Sequence, residues 1–252
     1  MATEAAVPSS TAASADNFSK NLTFLLDNDS DIRNLGIPGL SLTYQASWPD
    51  NIVLSMDTVS KYSLILDFQL ELRLAMLSLE LDWANENLVV RRDKKSTKDL
   101  MHKVNLMRHE MMHFIRNLND YVSSQVLEIS WREFQDNLMT KVTCLDDLIT
   151  MHEKYLNRAL FRCLLNSKAA PVMKLVRDIF SSITKFSRLI SMRMVGDEEE
   201  NWRTIEAQYQ VFSKYSRYFY SLVTKLAARG YQHHLEDLLI RLNFNGFYDR
   251  KE

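Results

Sequence analysis

The chain has 252 residues, 46% hydrophobic and 25% charged, which is the balance of a soluble globular protein with room for a sizeable core. Its formal net charge of -1 supplies no overall field to recruit nucleic acid or an anionic membrane. Two cysteines, Cys144 and Cys163, cannot make a disulfide framework and are not spaced as a metal pair. A reducing compartment and a small-hydrophobe role for each are therefore expected.

The first segment, 1–35, reads as a disordered tail. It opens with "MATEAAVPSSTAASADN", small and polar, without the basic start and apolar centre of a signal peptide. No apolar run reaches the roughly 18 residues that a membrane-spanning helix needs. Residues 36–252 are expected to form one helical domain. Its five glycines lie at 36, 39, 196, 230 and 246, so none falls between Leu40 and Val195. A β-sandwich, a doubly wound α/β sheet or a phosphate-cradling loop would need glycines there.

"LSLTYQASWPDNIVLS", 40–55, carries the one β-like signal. It alternates from Leu40 and is interrupted by Pro49, which suggests a short hairpin or two edge segments. A first helix is expected over about 58–86, where Tyr62, Ile65, Leu72, Met76, Leu79 and Trp83 keep a helical rhythm. Leu64, Leu66, Phe68, Leu70, Leu74, Leu77 and Leu81 fill its other sides. A helix apolar nearly all round is buried, or sets one face in the core and another against a partner. "RRDKKSTKD", 91–99, reads as a charged linker. Further helices are expected over about 98–128 and 145–166, from Pro171, from Trp202 to a stop at Gly230, and over Leu235–Leu242. The fold class is therefore mainly α: a bundle of about six helices with a short hairpin-like segment near 40–55.

The second helix contains His109-Glu110-Met111-Met112-His113, the H-E-x-x-H spacing of zinc peptidases. Residues four apart share a helix face, so two imidazoles can reach one Zn²⁺ while the glutamate acts as base. A third ligand is required. Arg116 and Asn119 stand where one extended form of the motif places Gly and His, whereas Glu133 lies where a carboxylate ligand could follow. The core stripe of this helix is Val104, Met107, Met111, Phe114, Leu118 and Tyr121, which puts His109 nearly opposite the core and His113 well off it. A polar face that happens to carry two histidines is the preferred reading, with no metal, no cofactor and no catalytic residue.

The same helix carries a resemblance. "LMRHEMMHFIRNLNDYVSSQVLEISW", 106–131, resembles a motif of the γ-tubulin complex components, with Phe114, Ile115, Tyr121, Val126, Leu127, Glu128 and Trp131 fitting and Asp120 departing from it. "LSLTYQASWPDNIVLS", "LDDLITMHEKYLNRALFRCLL" at 145–165 and "HLEDLLIRLNFNGFY" at 234–248 are similar to other segments of that family, in order. The resemblance implies an α-helical region that binds γ-tubulin, non-enzymatic, acting in microtubule nucleation at a centrosome or spindle pole in the cytoplasm. Implied partners are γ-tubulin and other components of the complex; nucleic acid and membrane are not expected. In the family a separate N-terminal domain makes lateral contacts, and these 252 residues hold no counterpart of it. That leaves open a truncated regulator that binds γ-tubulin without nucleating. Large docks combine aromatic anchors with a polar rim, so Trp48, Pro49, Asp50 and Asn51 are the candidate contact residues, with Tyr209, Tyr215, Tyr218 and Tyr220 as further aromatic candidates.

Overall fold

A computed structural model describes residues 22–26, 40–89, 95–192, 198–228 and 234–249. Within them lie strands β1 (Leu22–Leu26) and β2 (Leu40–Tyr44), followed by helices α1 (Met56–Val89) and α2 (Lys95–Tyr121). A π-helical segment, Val122–Ile129, leads into α3 (Ser130–Lys141). Then come α4 (Leu145–Arg162), α5 (Ala170–Met192), α6 (Glu198–Ala228) and α7 (His234–Leu242). The mainly helical class expected from the sequence is the one observed.

Helix α5 is the axis of the core. Val172, Val176, Ile179, Phe180, Ile183 and Phe186 are all buried along it, and it packs chiefly on α6 and α1. Phe68 of α1 stacks on Phe180 with centroids 6.3 Å apart. On the far side of α6, Phe114 of α2 meets Phe219 edge-on at 5.5 Å and Phe212 at 5.9 Å. Such edge-to-face pairs add about 0.5–1.5 kcal/mol each beyond the area they bury. The stripe expected on α2 faces inward: Val104, Met111, Phe114, Leu118 and Tyr121 are buried.

Four expectations are corrected. The strand Leu40–Tyr44 pairs antiparallel with Leu22–Leu26, in register Leu22↔Tyr44, and not with the segment after Pro49. Proline has no N–H to give a ladder, and the chain beyond it turns instead: Ile52 N–H donates to Pro49 O at 3.1 Å and Leu54 N–H to Asp50 O at 2.9 Å. Leu22–Leu26 is consequently an ordered element inside the segment read as a tail; the rest of 1–35 lies outside the described residues, as does Gly230. Lys95–Asp99 belongs to α2 and not to a linker. Finally, α3 was not anticipated, although Trp131 and Phe134 are spaced for a helix and Phe134 is buried.

The π-helical segment is stabilised from outside. A π turn loosens the backbone ladder and leaves carbonyls in search of donors. Arg162, at the end of α4, donates from Nη1 to Gln125 O at 3.0 Å and to Ser130 Oγ at 2.7 Å. Ser130 Oγ donates to Gln125 O at 3.2 Å. The Tyr121 hydroxyl in turn donates to Arg162 O at 2.8 Å. Chain segments far apart in sequence are thereby fixed to one another by charge-assisted bonds.

Candidate functional site

The segment Trp48–Asn51 bridges β2 and α1, and its backbone is held while its side chains are not. A cis peptide joins Trp48 to Pro49. Asn51 N–H donates to Ser47 O at 3.1 Å, and Ser55 Oγ accepts from Thr58 N–H at 3.3 Å to cap the start of α1. All four candidate residues, Trp48, Pro49, Asp50 and Asn51, are exposed, and Trp48 retains 79% of its surface. Ile52, 41% exposed, and Met56, 80% exposed, continue the apolar surface and were not singled out from the sequence.

The tyrosines separate. Tyr218 is exposed. The other three are half-buried and engaged. Tyr209 donates its hydroxyl to Glu110 Oε2 at 2.5 Å. Tyr220 stacks on Tyr248 with centroids 4.8 Å apart, and its hydroxyl accepts from Asn243 Nδ2 at 3.1 Å. Tyr215 packs against the core. A second exposed apolar pair, Ile240 and Phe244, lies at the end of the chain and also escaped the sequence reading.

The H-E-x-x-H residues do not form a centre with Glu133. His109 is exposed and His113 half-buried; burial, and then the charge of His109, lower the affinity of His113 for a proton. Glu110 is bonded to Tyr209. Glu133 is bound by Arg158 and, at 3.4 Å, by Arg162. It lines a small depression with Lys154 and Tyr155 between α3 and α4, whereas His109 lines a groove between α1 and α2 beside Leu79 and Leu106. Among the described residues no group of three or more His, Cys, Asp or Glu is placed to hold a metal ion.

The cysteines also separate. Cys163 is buried, and burial pushes its thiol up to about 12, which keeps it protonated and inert. Cys144 is exposed at the N-cap of α4, a correction to the buried role expected for it. Asp147 makes that cap: its Oδ2 accepts from Thr143 N–H, Thr143 Oγ1 and Cys144 N–H at 3.1, 2.8 and 3.3 Å. These bonds, those of Thr143 first, hold its carboxyl below the usual range.

The fold is that of a mainly helical protein, and comparison with known proteins gives its family. Residues 2–248 match the model described as Gamma tubulin complex component C-terminal, and the chain belongs to that family. It is 39% identical over 224 residues to Gamma-tubulin complex component 6 of Homo sapiens, covering 83% of this chain and 12% of that protein. Gamma-tubulin complex component 5 of Mus musculus is 26% identical over 82% of this chain and 22% of its own length. Spindle pole body component 98 of Dictyostelium discoideum is 26% identical over 87% of this chain and 29% of its own length. The chain thus spans well under two thirds of these relatives. The match runs from residue 2, across the boundary expected after residue 35, and it is to a family of complex components and not of enzymes.

Proposed function

We propose that this chain docks γ-tubulin as a component of the γ-tubulin complex and contributes to microtubule nucleation at a centrosome or spindle pole, without catalysis of its own. Family membership over residues 2–248 carries the reading, since the relatives are named for the γ-tubulin complex and the spindle pole body. The helical domain, taken as 36–252, is the docking unit, and Trp48 with Pro49, Asp50 and Asn51 is its contact segment. A rigid indole that loses little entropy on binding is the kind of group that dominates an interface. Other components of the complex are the second class of partner.

The test is capture of purified γ-tubulin by the purified chain, with Trp48→Ala alongside. Binding by the parent chain and its loss in the variant are expected; failure of a folded parent chain to bind overturns the reading. A second reading is a regulator that occupies γ-tubulin without nucleating. Addition of the chain to a nucleation assay separates the two, as promotion or as inhibition.

A further inference from the structure

Helices α3 and α4 are joined by the short turn 142–144 and pack along one another. Between them lies a depression of about 200 Å³. The buried ring of Phe134 and the half-buried ring of Tyr155 line it, and Lys141, Lys154 and Arg158, all exposed, stand at its rim. Burial raises the Tyr155 phenol, which therefore stays protonated and able to donate. One carboxylate, Glu133, also lines the depression, and Arg158 and Arg162 both bind it. The neighbouring acids are used elsewhere or lie outside: Glu153 pairs with Lys61 at 3.7 Å, Asp147 caps α4, and Asp136 and Asp146 are not in the lining. Among the described residues, Lys141 and Lys154 have no ion-pair partner. Two uncompensated ammonium groups beside apolar rings attract an anion more strongly than they would in open water.

The spacing of the cations selects the shape of the anion. Lys154 precedes Arg158 by one helical turn of α4, about 6 Å along the axis at about 1.5 Å per residue. Arg158 meets Glu133 of α3. Lys141 lies two turns beyond Glu133 on that antiparallel helix, about 12 Å in the same direction. Arg158, Lys154 and Lys141 thus mark successive steps of about 6 Å. Alternate residues of an extended peptide are about 6.6 Å apart and point to one side. A helix with acids one turn apart offers a similar step, but its cylinder is about 10–12 Å across and too wide for so small a depression. We infer that the α3–α4 depression is a docking site for an extended acidic segment of another protein, whose carboxylates at alternate positions meet Lys154 and Lys141. The site is separate from Trp48–Asn51 and does not depend on the docking of γ-tubulin.

Fluorescence anisotropy of a labelled peptide, Gly-Glu-Ala-Glu-Ala-Glu-Gly, titrated with the purified chain tests it. Saturable binding is expected, and added salt should weaken it by screening the rim charges. Gly-Glu-Glu-Glu-Ala-Ala-Gly has the same composition but sends its acids to alternate sides, and should bind about threefold more weakly or worse. Lys141→Glu with Lys154→Glu should weaken binding on the order of tenfold or more. Both side chains are exposed, so the helical circular dichroism should be retained. Lys168→Glu with Lys214→Glu makes the same change of net charge at two exposed lysines outside the depression, and should leave binding as it was. A folded parent chain without saturable binding overturns the inference. So do equal losses in the two lysine pairs, or equal affinity for the two peptides. Displacement by inorganic phosphate at concentrations where free glutamate has no effect also overturns it, and makes the depression a phosphate site.

Discussion

Trp48 is a large apolar side chain that the fold leaves in water although its own backbone is fixed. Truncating it should therefore separate binding from stability. Trp48→Ala is expected to shift the unfolding free energy by less than about 0.5 kcal/mol, as for an exposed site. It should weaken γ-tubulin binding by about 30-fold if the indole is an anchor worth about 2 kcal/mol. Denaturant melts and a titration with γ-tubulin read the two quantities. Tyr121 is the opposite case. Its ring is buried, and its hydroxyl donates to the Arg162 carbonyl. Tyr121→Phe keeps the ring and removes the donor, and should destabilise by about 1–2 kcal/mol through the carbonyl left unpaired. Burial holds the phenol protonated well above its ordinary range, so this donor persists across all pH values at which the protein is handled.

The junction of α2 and α3 is the element whose shape depends most on a distant residue. Its π-helical turn is held by Arg162, which bonds Gln125 O, Ser130 Oγ and Glu133. Arg162→Leu would keep much of the side chain's volume and remove all three bonds. A loss of roughly 2–3 kcal/mol is expected, read from the midpoint of urea unfolding. Near-ultraviolet circular dichroism should change with it, since Trp131 follows the turn and packs on Phe134 and Tyr155 at 5.5 and 5.7 Å. A variant as stable as the parent would show that the turn is an intrinsic preference of residues 122–129. Helix α3 is marked in the sequence only by the Trp131–Phe134 spacing, for the same reason. The helical rhythm changes phase at the turn, so the spacing before it does not extend to Trp131.

At the scale of the whole molecule, three histidines among the described residues favour the unfolded chain in acid. His234 is lowered to about 4, first by burial and then by Arg162. His152 is lowered by burial, and His113 by burial and by His109. His152 sits between Tyr62, whose hydroxyl is 2.9 Å from Nε2, and the rings of Phe134 and Tyr155. Each group binds its proton more readily in the unfolded chain. Stability is therefore complete above about pH 6.5, and it declines as pH falls from there through the folded values, toward about 4 for His234. Denaturant midpoints measured from pH 7.5 to 4.5 should fall. The His234→Gln variant should fall less steeply below pH 6; a slope unchanged by that substitution would assign the acid response to other groups.

Sequence alone determined the helical class and the inward stripe of α2, because a 3.6-residue period and a scarcity of glycine are local facts that no long-range contact reverses. It also marked Trp48 as lying between two elements beside a proline, and the structure leaves that side chain exposed. Only the tertiary structure decided that β2 pairs with Leu22–Leu26 across a sequence gap, that Arg162 supports a turn more than thirty positions before it, and that Glu133 faces arginines instead of two histidines. Those outcomes depend on which distant groups arrive at one place. Residue spacing fixes the direction in which a side chain leaves its own helix; only packing determines what it finds there.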